Sequence, residues 1–395
     1  MGVNGSGKTT VINIIAAALS ADFATLDRLP FSIVTMYLTE ARGRRKPVIE
    51  VEKKESEKSP YNSIVYRIKE KASDKFITYS LDEYEEEMLI RRGIPRNHQA
   101  FAKFRGRGIV AKLAEITNVS WLSIHRTANN MQRKAEESFE SSVDQKLDEL
   151  SSQLAKYFSV LAAKVAEEIA EFQRSMIVSL LTEQTESTVL SSVKTLNLDE
   201  EKKALIDILT RLNIPKGAKA KLDKHYDEVS DARAKLEAAG GLRLGEIMPL
   251  ISAYRSHRIV QDWSRLLDKQ ASIQHPRTAF LQVLNKLFER KEIDINQKNE
   301  LEATTTSGKK MSIRGLSSGE KQLVIILGEA LLQQSAPWIY IADEPELSLH
   351  VKWQENLIES LIQLNPKAQI VCATHSPDVV SHFSDKVFDM ESKIK

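Results

Sequence analysis

Apolar and polar residues change rhythm several times along this chain of 395 residues. From about Lys8 to Leu19, Val11, Ile12, Ile14, Ile15 and Leu19 sit among small residues, which predicts a helix that packs on several sides. From Phe31 to Leu81 the period drops to two. The runs FSIVTMYLT, VIEVEKKE, SIVYRIKEK and KFITYSL alternate, with SEKSPYNS as a turn, and predict an antiparallel, half-exposed sheet. NVSWLSIHR reads as a further strand ending in a polar tip.

After Arg126 the pattern is helical. Leu147, Leu150 and Leu154, then Phe158, Leu161 and Val165, then Ile169, Phe172 and Met176 repeat about every eleven residues. That period gives 3.67 residues per turn and a nearly straight or slightly right-handed helix. From Ala128 to Leu181 it would reach roughly 80 Å at about 1.5 Å per residue. A stripe that long needs a partner, and TEQTESTVLSS reads as the tip where the chain turns back. EEKKALIDILTRLN, KAKLDKHYDEVSDARAKLEAA (stopped by Gly240 and Gly241) and segments to about Arg290 read as return helices. They form either a bundle without chemistry of its own or an arm that grips something. From Glu292 strands return in KEIDIN, ELEATTT and KKMSIRG.

Composition narrows the class only a little. Lys and Arg number 56 against 54 Asp and Glu, so any anion-binding function must be local. Cys372, the single cysteine, excludes an intrachain disulfide and suits a reducing cytoplasm. No apolar run approaches the roughly 20 residues that span a bilayer, so no membrane role is expected.

The chemistry lies near the two ends. GVNGSGKT, Gly2 to Thr9, matches the phosphate-loop pattern, in which glycine-rich backbone and a helix N-terminus gather N–H groups around phosphate oxygens. Asn4, Gly5, Ser6, Gly7, Lys8, Thr9 and Thr10 are therefore expected around ATP, with Lys8 on the β- and γ-phosphates and the Thr9 hydroxyl on Mg²⁺. WIYIADEPE is an apolar strand ending in carboxylates: Asp343 is placed to serve Mg²⁺, and Glu344 to orient or deprotonate the attacking water. LSSGEKQL puts Ser317, Ser318, Gly319 and Glu320 at a helix start, where serines cap and a glycine admits an anion. IVCATHSP ends a buried strand on His375, either a structural hydrogen-bonding residue or a catalytic one.

Their order and spacing resemble the ATP-binding-cassette class of ATPases. The resemblance implies an α/β fold: an ABC-type P-loop ATPase head, with a mixed central sheet plus an antiparallel β subdomain, carrying a long inserted α-helical hairpin or bundle. It divides the chain into residues 1–127, the helical insertion 128–290, and 291–395. LSSGE corresponds to the signature motif, ELSLH to the D-loop and His375 to the switch histidine that senses the γ-phosphate. The resemblance implies a homodimer sandwiching two ATP, or a higher homo-oligomer. The long helical insertion, DEPELSLH and THSP are most similar to the RecF, SMC-like and OLD-like branch, especially standalone anti-phage ATPases of the Septu and retron-associated kinds. The family's glutamine loop falls at SIHR, which has His125 and Arg126 but no glutamine; Gln99 is the alternative.

That branch implies an ATPase in DNA or phage surveillance whose nuclease or toxin effector is a separate chain. The competing readings are a nucleotide-gated scaffold that holds a partner inactive, and a DNA-repair ATPase. Arg91, Arg92, Arg96, Lys103, Arg105 and Arg107, interleaved with Phe101 and Phe104, are the candidate nucleic-acid surface, unless the upstream DEYEEE neutralises them. The resemblance also places an apolar strand before the phosphate loop. Met1 is therefore expected to be a late or artificial start. If the chain is complete, a gap beside the Trp338–Ala342 strand, or a strand donated by another subunit, is expected.

Overall fold

The structure is a computed structural model and describes residues 7–40, 43–54, 62–71, 73–79, 107–122, 142–181, 186–213, 217–238, 244–347 and 349–390. Helix α1 (Lys8–Ser20) begins at Gly7, whose φ of 80° is a left-handed conformation open to glycine. Helix α2 (Phe23–Arg28) follows, capped by Asp22, which accepts from the Thr25 N–H at 3.1 Å.

Strands β1 (Ile33–Tyr37), β2 (Val48–Lys54), β3 (Ser63–Lys69) and β4 (Ile77–Tyr79) form one antiparallel sheet in that order, as the period of two predicts. Along β3, Ile64, Tyr66 and Ile68 are buried, while Arg67 on the other face pairs with Glu50 and Glu52 of the adjacent strand. The Tyr66 hydroxyl donates to the Ala18 carbonyl at 3.0 Å and so ties the sheet to α1. Helix α3 (Arg107–Ile116) and strand β5 (Asn118–Leu122) come next.

Five helices then follow: α4 (Ser142–Leu181), α5 (Glu186–Thr195), α6 (Leu198–Arg211), α7 (Gly217–Glu237) and α8 (Leu244–Leu287). The chain returns through β6 (Lys291–Ile295), β7 (Leu301–Thr305) and β8 (Lys310–Ser312), an antiparallel sheet. Helix α9 (Ser318–Leu332), strand β9 (Trp338–Asp343), helix α10 (Val351–Leu364) and strand β10 (Gln369–Ala373) complete it.

By internal packing the chain divides into two compact units, residues 1–156 with 278–395, and residues 157–277. In the first, β10, β9 and β5 form a parallel sheet in that order, and α1 packs on all three strands. One core joins Ile12, Ala16 and Leu19 of α1 to Val51 and Tyr66 of the antiparallel sheet and to Ile341 and Ala373 of the parallel one. Burial of that apolar surface, at roughly 25 cal/mol per Å², fixes the helix against both sheets. The expected gap beside Trp338–Ala342 is not there: β9 is apolar on both faces and has β10 on one edge and β5 on the other. Among the described residues the strand with one neighbour on that side is β10, bordered by a cavity of 860 Å³ lined by Val11, Ile15, Ile370, Val371 and Phe383.

The second unit is helical. Within it α4 and α8 run antiparallel: Phe172 meets the Trp263 ring edge-on at 5.5 Å, Ser175 donates to Asp262 at 3.0 Å and Lys269 pairs with Glu168 at 2.7 Å. The eleven-residue stripe is buried at Leu147, Leu150, Leu154, Phe158, Leu161 and Phe172, but Ile169 is exposed. Residues 182–185 of the expected tip lie outside the described residues, and the rest is helical. Much of TEQTESTVLSS lies in α5, because Val189, Val193 and Leu196 fall on one helix face and are buried against Val229 and Leu250. Residues 123–141, the expected start of the arm, and Gly240 and Gly241 lie outside the described residues.

Candidate active site

Four segments meet at the C-terminal end of the parallel sheet. Helix α1 brings Lys8 and Thr9; the end of β9 brings Asp343 and Glu344; the turn after it brings Glu346; the end of β10 brings Thr374 and His375. Parallel strands present their C-terminal ends together, so the topology itself collects these side chains.

Thr9 Oγ1 donates to Asp343 Oδ1 at 3.1 Å. The Lys8 side chain is buried, and its Nζ lies 3.2 Å from Nδ1 of His375. An ammonium only donates, so Nδ1 accepts and the ring proton belongs on Nε2. That nitrogen faces Glu344 Oε1 at 3.0 Å. The network thus assigns one tautomer of a neutral ring, and a directed line from Lys8 through His375 to Glu344.

Glu344 has φ 48°, an uncommon left-handed conformation for a residue with a side chain. Its N–H donates to the Ala373 carbonyl at 2.8 Å, and its carbonyl accepts from Leu347 at 3.1 Å, which hold the turn. Pro345 follows, so the carboxylates leave β9 in a turn and not in a helix. Glu344 Oε2 accepts from the His375 N–H at 3.2 Å. Burial, and then the neighbouring Glu346 carboxylate, push the Glu344 carboxyl up to about 7; the His375 N–H opposes this and Asp343 adds to it.

Helix α9 begins in a reciprocal cap. Glu320 N–H donates to Ser317 Oγ at 3.4 Å, and Ser317 N–H donates to Glu320 Oε2 at 2.7 Å. Lys291 Nζ also donates to Glu320, at 2.7 Å. Burial works against charge there, yet hydrogen bonds from Lys291 and Ser317 hold the carboxyl below its usual range. Glu320 is therefore committed to the cap, while Ser318 and Gly319 open the helix. One turn on, Gln322 Nε2 donates to the Pro345 carbonyl at 3.5 Å and so connects α9 to the turn that carries Glu344.

The base of α4 is fastened to the same helix and to the turn at Ile313–Gly315 that precedes it. Lys321 Nζ pairs with Asp144 at 2.6 Å, Lys146 with Glu329 at 2.8 Å, and Arg314 Nε with Asp148 at 2.9 Å. Gly328 allows the close approach: a Cβ there would meet Leu150 Cδ2 at 2.8 Å. On the other side Trp353 Nε1 of α10 donates to the Leu287 carbonyl at 2.8 Å, beside a 2.7 Å ion pair from Lys352 to Glu289.

Of the residues picked from sequence, the structure brings together Lys8, Thr9, Asp343, Glu344 and His375. Thr10 stands on α1, half-buried. Asn4, Gly5 and Ser6 lie outside the described residues, as do His125, Arg126, Gln99 and the basic residues Arg91, Arg92, Arg96, Lys103 and Arg105. Arg107 is the first residue of α3. Lys112 from the same basic stretch is taken up by ion pairs to Glu70 and Glu115. Gln322 has no signal in the sequence, and Glu346, the first residue of ELSLH, is not identified there as a partner of the β10 tip. The available signal for Glu346 was a second glutamate two residues after Glu344 with proline between. Cys372 lies just before the site, but burial pushes its thiol up to about 11, which makes it a poor nucleophile.

The donor set fits a hard divalent cation. A hydroxyl and a carboxylate oxygen already lie within hydrogen-bond distance of each other beside a buried lysine, the oxygen chemistry that Mg²⁺ takes together with phosphates.

Residues 185–381 match the family model described as "AAA domain, putative AbiEii toxin, Type IV TA system". That span includes Ser317–Glu320, Asp343, Glu344 and His375. A protein of Vibrio cholerae serotype O1 biovar El Tor, named "Retron Vc95 probable ATPase", is 26% identical over 147 residues, 34% of this chain and 27% of that protein. The match thus spans about a quarter of that relative's length. Among solved structures, the Smc head domain with an extended coiled coil bound to the C-terminal domain of ScpA, from Pyrococcus furiosus, is 14% identical with a TM-score of 0.33, covering 96% of this chain and 83% of that one. The SmcHead bound to the C-winged helix domain of ScpA is 10% identical with a TM-score of 0.35, covering 96% and 82%. Among the described residues no helix is long and apolar enough to cross a membrane.

Proposed function

We propose that this chain is a P-loop ATPase of the ATP-binding-cassette class that binds and hydrolyses MgATP at the site formed by Lys8, Thr9, Asp343, Glu344 and His375. Two copies close around two nucleotides, and the helical unit passes nucleotide state to a separate effector. The observation that carries this reading is the line from Lys8 through His375 to Glu344, with contacts of 3.2 and 3.0 Å.

Each residue has a physical task in that reaction. The Lys8 ammonium neutralises charge on the terminal phosphates. Thr9 and Asp343 would hold Mg²⁺, which when bound supplies Lewis-acid polarisation of the phosphoryl oxygens. Glu344 orients the attacking water and takes its proton, and His375 fixes the orientation of Glu344. Ser317, Ser318 and Gly319 at the N-terminus of α9 offer oriented N–H groups to the γ-phosphate held by the opposite subunit. The ion pairs from α9 to the base of α4 support a mechanical link from nucleotide to helical arm.

The setting is DNA or phage surveillance, supported by the similarity to a retron ATPase and to the toxin-linked family model. The effector is a nuclease or toxin on its own chain.

Light scattering on Glu344→Gln tests the sandwich. A dimer in MgATP and a monomer in MgADP is the expected result; the same mass in both overturns it.

A further inference from the structure

We propose that Glu346 is a positioning residue for the hydrolysis step, one that builds the backbone seat of His375 and touches no nucleotide itself. The proposal rests on the ATPase reading above and deepens it.

Glu346 is 5% exposed, an uncommon place for a carboxylate. Its Oε1 gathers the tip of β10: it accepts from the Thr374 hydroxyl, from the His375 N–H at 3.1 Å and from the Ser376 N–H at 3.3 Å. The Thr374 hydroxyl oxygen also accepts from the Ser376 N–H at 3.0 Å, and the Ser376 hydroxyl donates to Gln354 at 2.6 Å. The turn between β10 and the next segment is thus wound around one carboxylate oxygen. Two amides at the strand end thereby gain a carboxylate oxygen as acceptor, in addition to Glu344 Oε2 for His375 and Thr374 Oγ1 for Ser376.

The consequence reaches the reacting groups through His375. The same His375 N–H is shared between Glu346 at 3.1 Å and Glu344 Oε2 at 3.2 Å, while the ring spans Lys8 and Glu344. If the amide seat shifts, the ring and the Glu344 carboxylate shift with it. Displacements of about 1 Å at a positioning group can cost around 100-fold in rate. Lys8 and Thr9 are carried by α1 and not by the β10 turn, and Lys8 meets the ring of His375, not its N–H, so the seat should affect the rate more than nucleotide affinity.

The test compares three variants in steady-state hydrolysis, with nucleotide affinity measured alongside. Glu346→Leu removes the oxygen on which the Thr374 hydroxyl and the two amides converge, leaving the His375 N–H only Glu344 and the Ser376 N–H only Thr374 Oγ1; kcat should fall about 10- to 100-fold while KM for ATP stays within about 3-fold. Glu346→Gln keeps an acceptor oxygen and should recover all but about 5-fold of the loss. Thr374→Val, which removes one donor, should lower kcat by about 3- to 10-fold. Wild-type kcat in Glu346→Leu, or an equal loss in kcat and in ATP affinity, overturns the proposal. If Glu346→Leu does not fold, a wild-type kcat in Thr374→Val overturns it instead. Glu344→Gln separates the two claims: if it hydrolyses ATP normally the functional reading fails, and if it is inactive while Glu346→Leu is normal only this inference fails. If the wild type shows no turnover under any condition, the functional reading fails, and this inference, which rests on it, fails with it.

Discussion

Thr9 Oγ1 donates to Asp343 Oδ1 at 3.1 Å, joining residues 334 positions apart in sequence. The two oxygens stand beside the buried Lys8, where a cation and the phosphates it accompanies would be held. Asp343→Asn keeps the shape and removes the charge. MgATP affinity should fall at least about 10-fold, with ATP binding in EDTA unchanged, since charge on the ligands sets affinity for a hard cation. Equal weakening with and without Mg²⁺ would show that Asp343 has no metal role.

The pair Lys321–Asp144 fastens the base of α4 to the helix that starts at Ser318, with side chains 15% and 27% exposed. A double-mutant cycle in urea should return a coupling of about 0.5–1 kcal/mol, larger than for a fully exposed pair, and the swapped pair Lys321→Asp with Asp144→Lys should recover part of it. Zero coupling would mean that packing at Gly328 and Leu150 holds the helices without the ion pair.

Gly328 itself is tight, with Leu150 atoms 2.8 to 3.3 Å from where a Cβ would stand. Gly328→Val should destabilise by about 1–3 kcal/mol through overpacking, seen as a lower midpoint in thermal or urea unfolding. An unchanged midpoint would mean that Leu150 moves aside freely.

Glu344 carries a pH signature in metal-free, nucleotide-free protein. Its carboxyl is raised from 4.5 to about 7, so the folded state binds the proton more tightly than the unfolded chain. The stability this contributes is present below about pH 4.5 and is lost as pH rises through about 7. Glu344→Gln removes the titration. In EDTA its melting temperature should gain on wild type as pH goes from about 5 to about 8. Parallel curves would contradict the raised carboxyl.

The sequence carried much of this, for local reasons. GSGKTT and the apolar run behind it define α1, and alternation defines β1 to β3, because helix and strand periods are properties of neighbouring residues. Asp343, Glu344 and His375 were visible as polar ends of apolar strands. What stayed hidden depends on tertiary placement. Nothing in ATHSP says that the amides of His375 and Ser376 turn toward Glu346, or that Lys8 donates to the His375 ring. The helix at residues 186–195 is hidden in the sequence because TEQTESTVLSS is polar on average, while Val189 and Val193 form an apolar face only when read at helical spacing. Which strands lie at the sheet edges depends on strand order, which spacing alone does not set: among the described residues β9 is central and β10 and β5 are the edges, so the gap expected at β9 is not found.

The central claim is that Glu344, held by His375, makes this chain an ATPase. Steady-state phosphate release from wild type and Glu344→Gln, in MgATP with nucleotide binding checked in parallel, tests it most directly. The account predicts turnover by wild type and a loss of at least about 100-fold in the variant with binding intact. Normal hydrolysis by Glu344→Gln would contradict it.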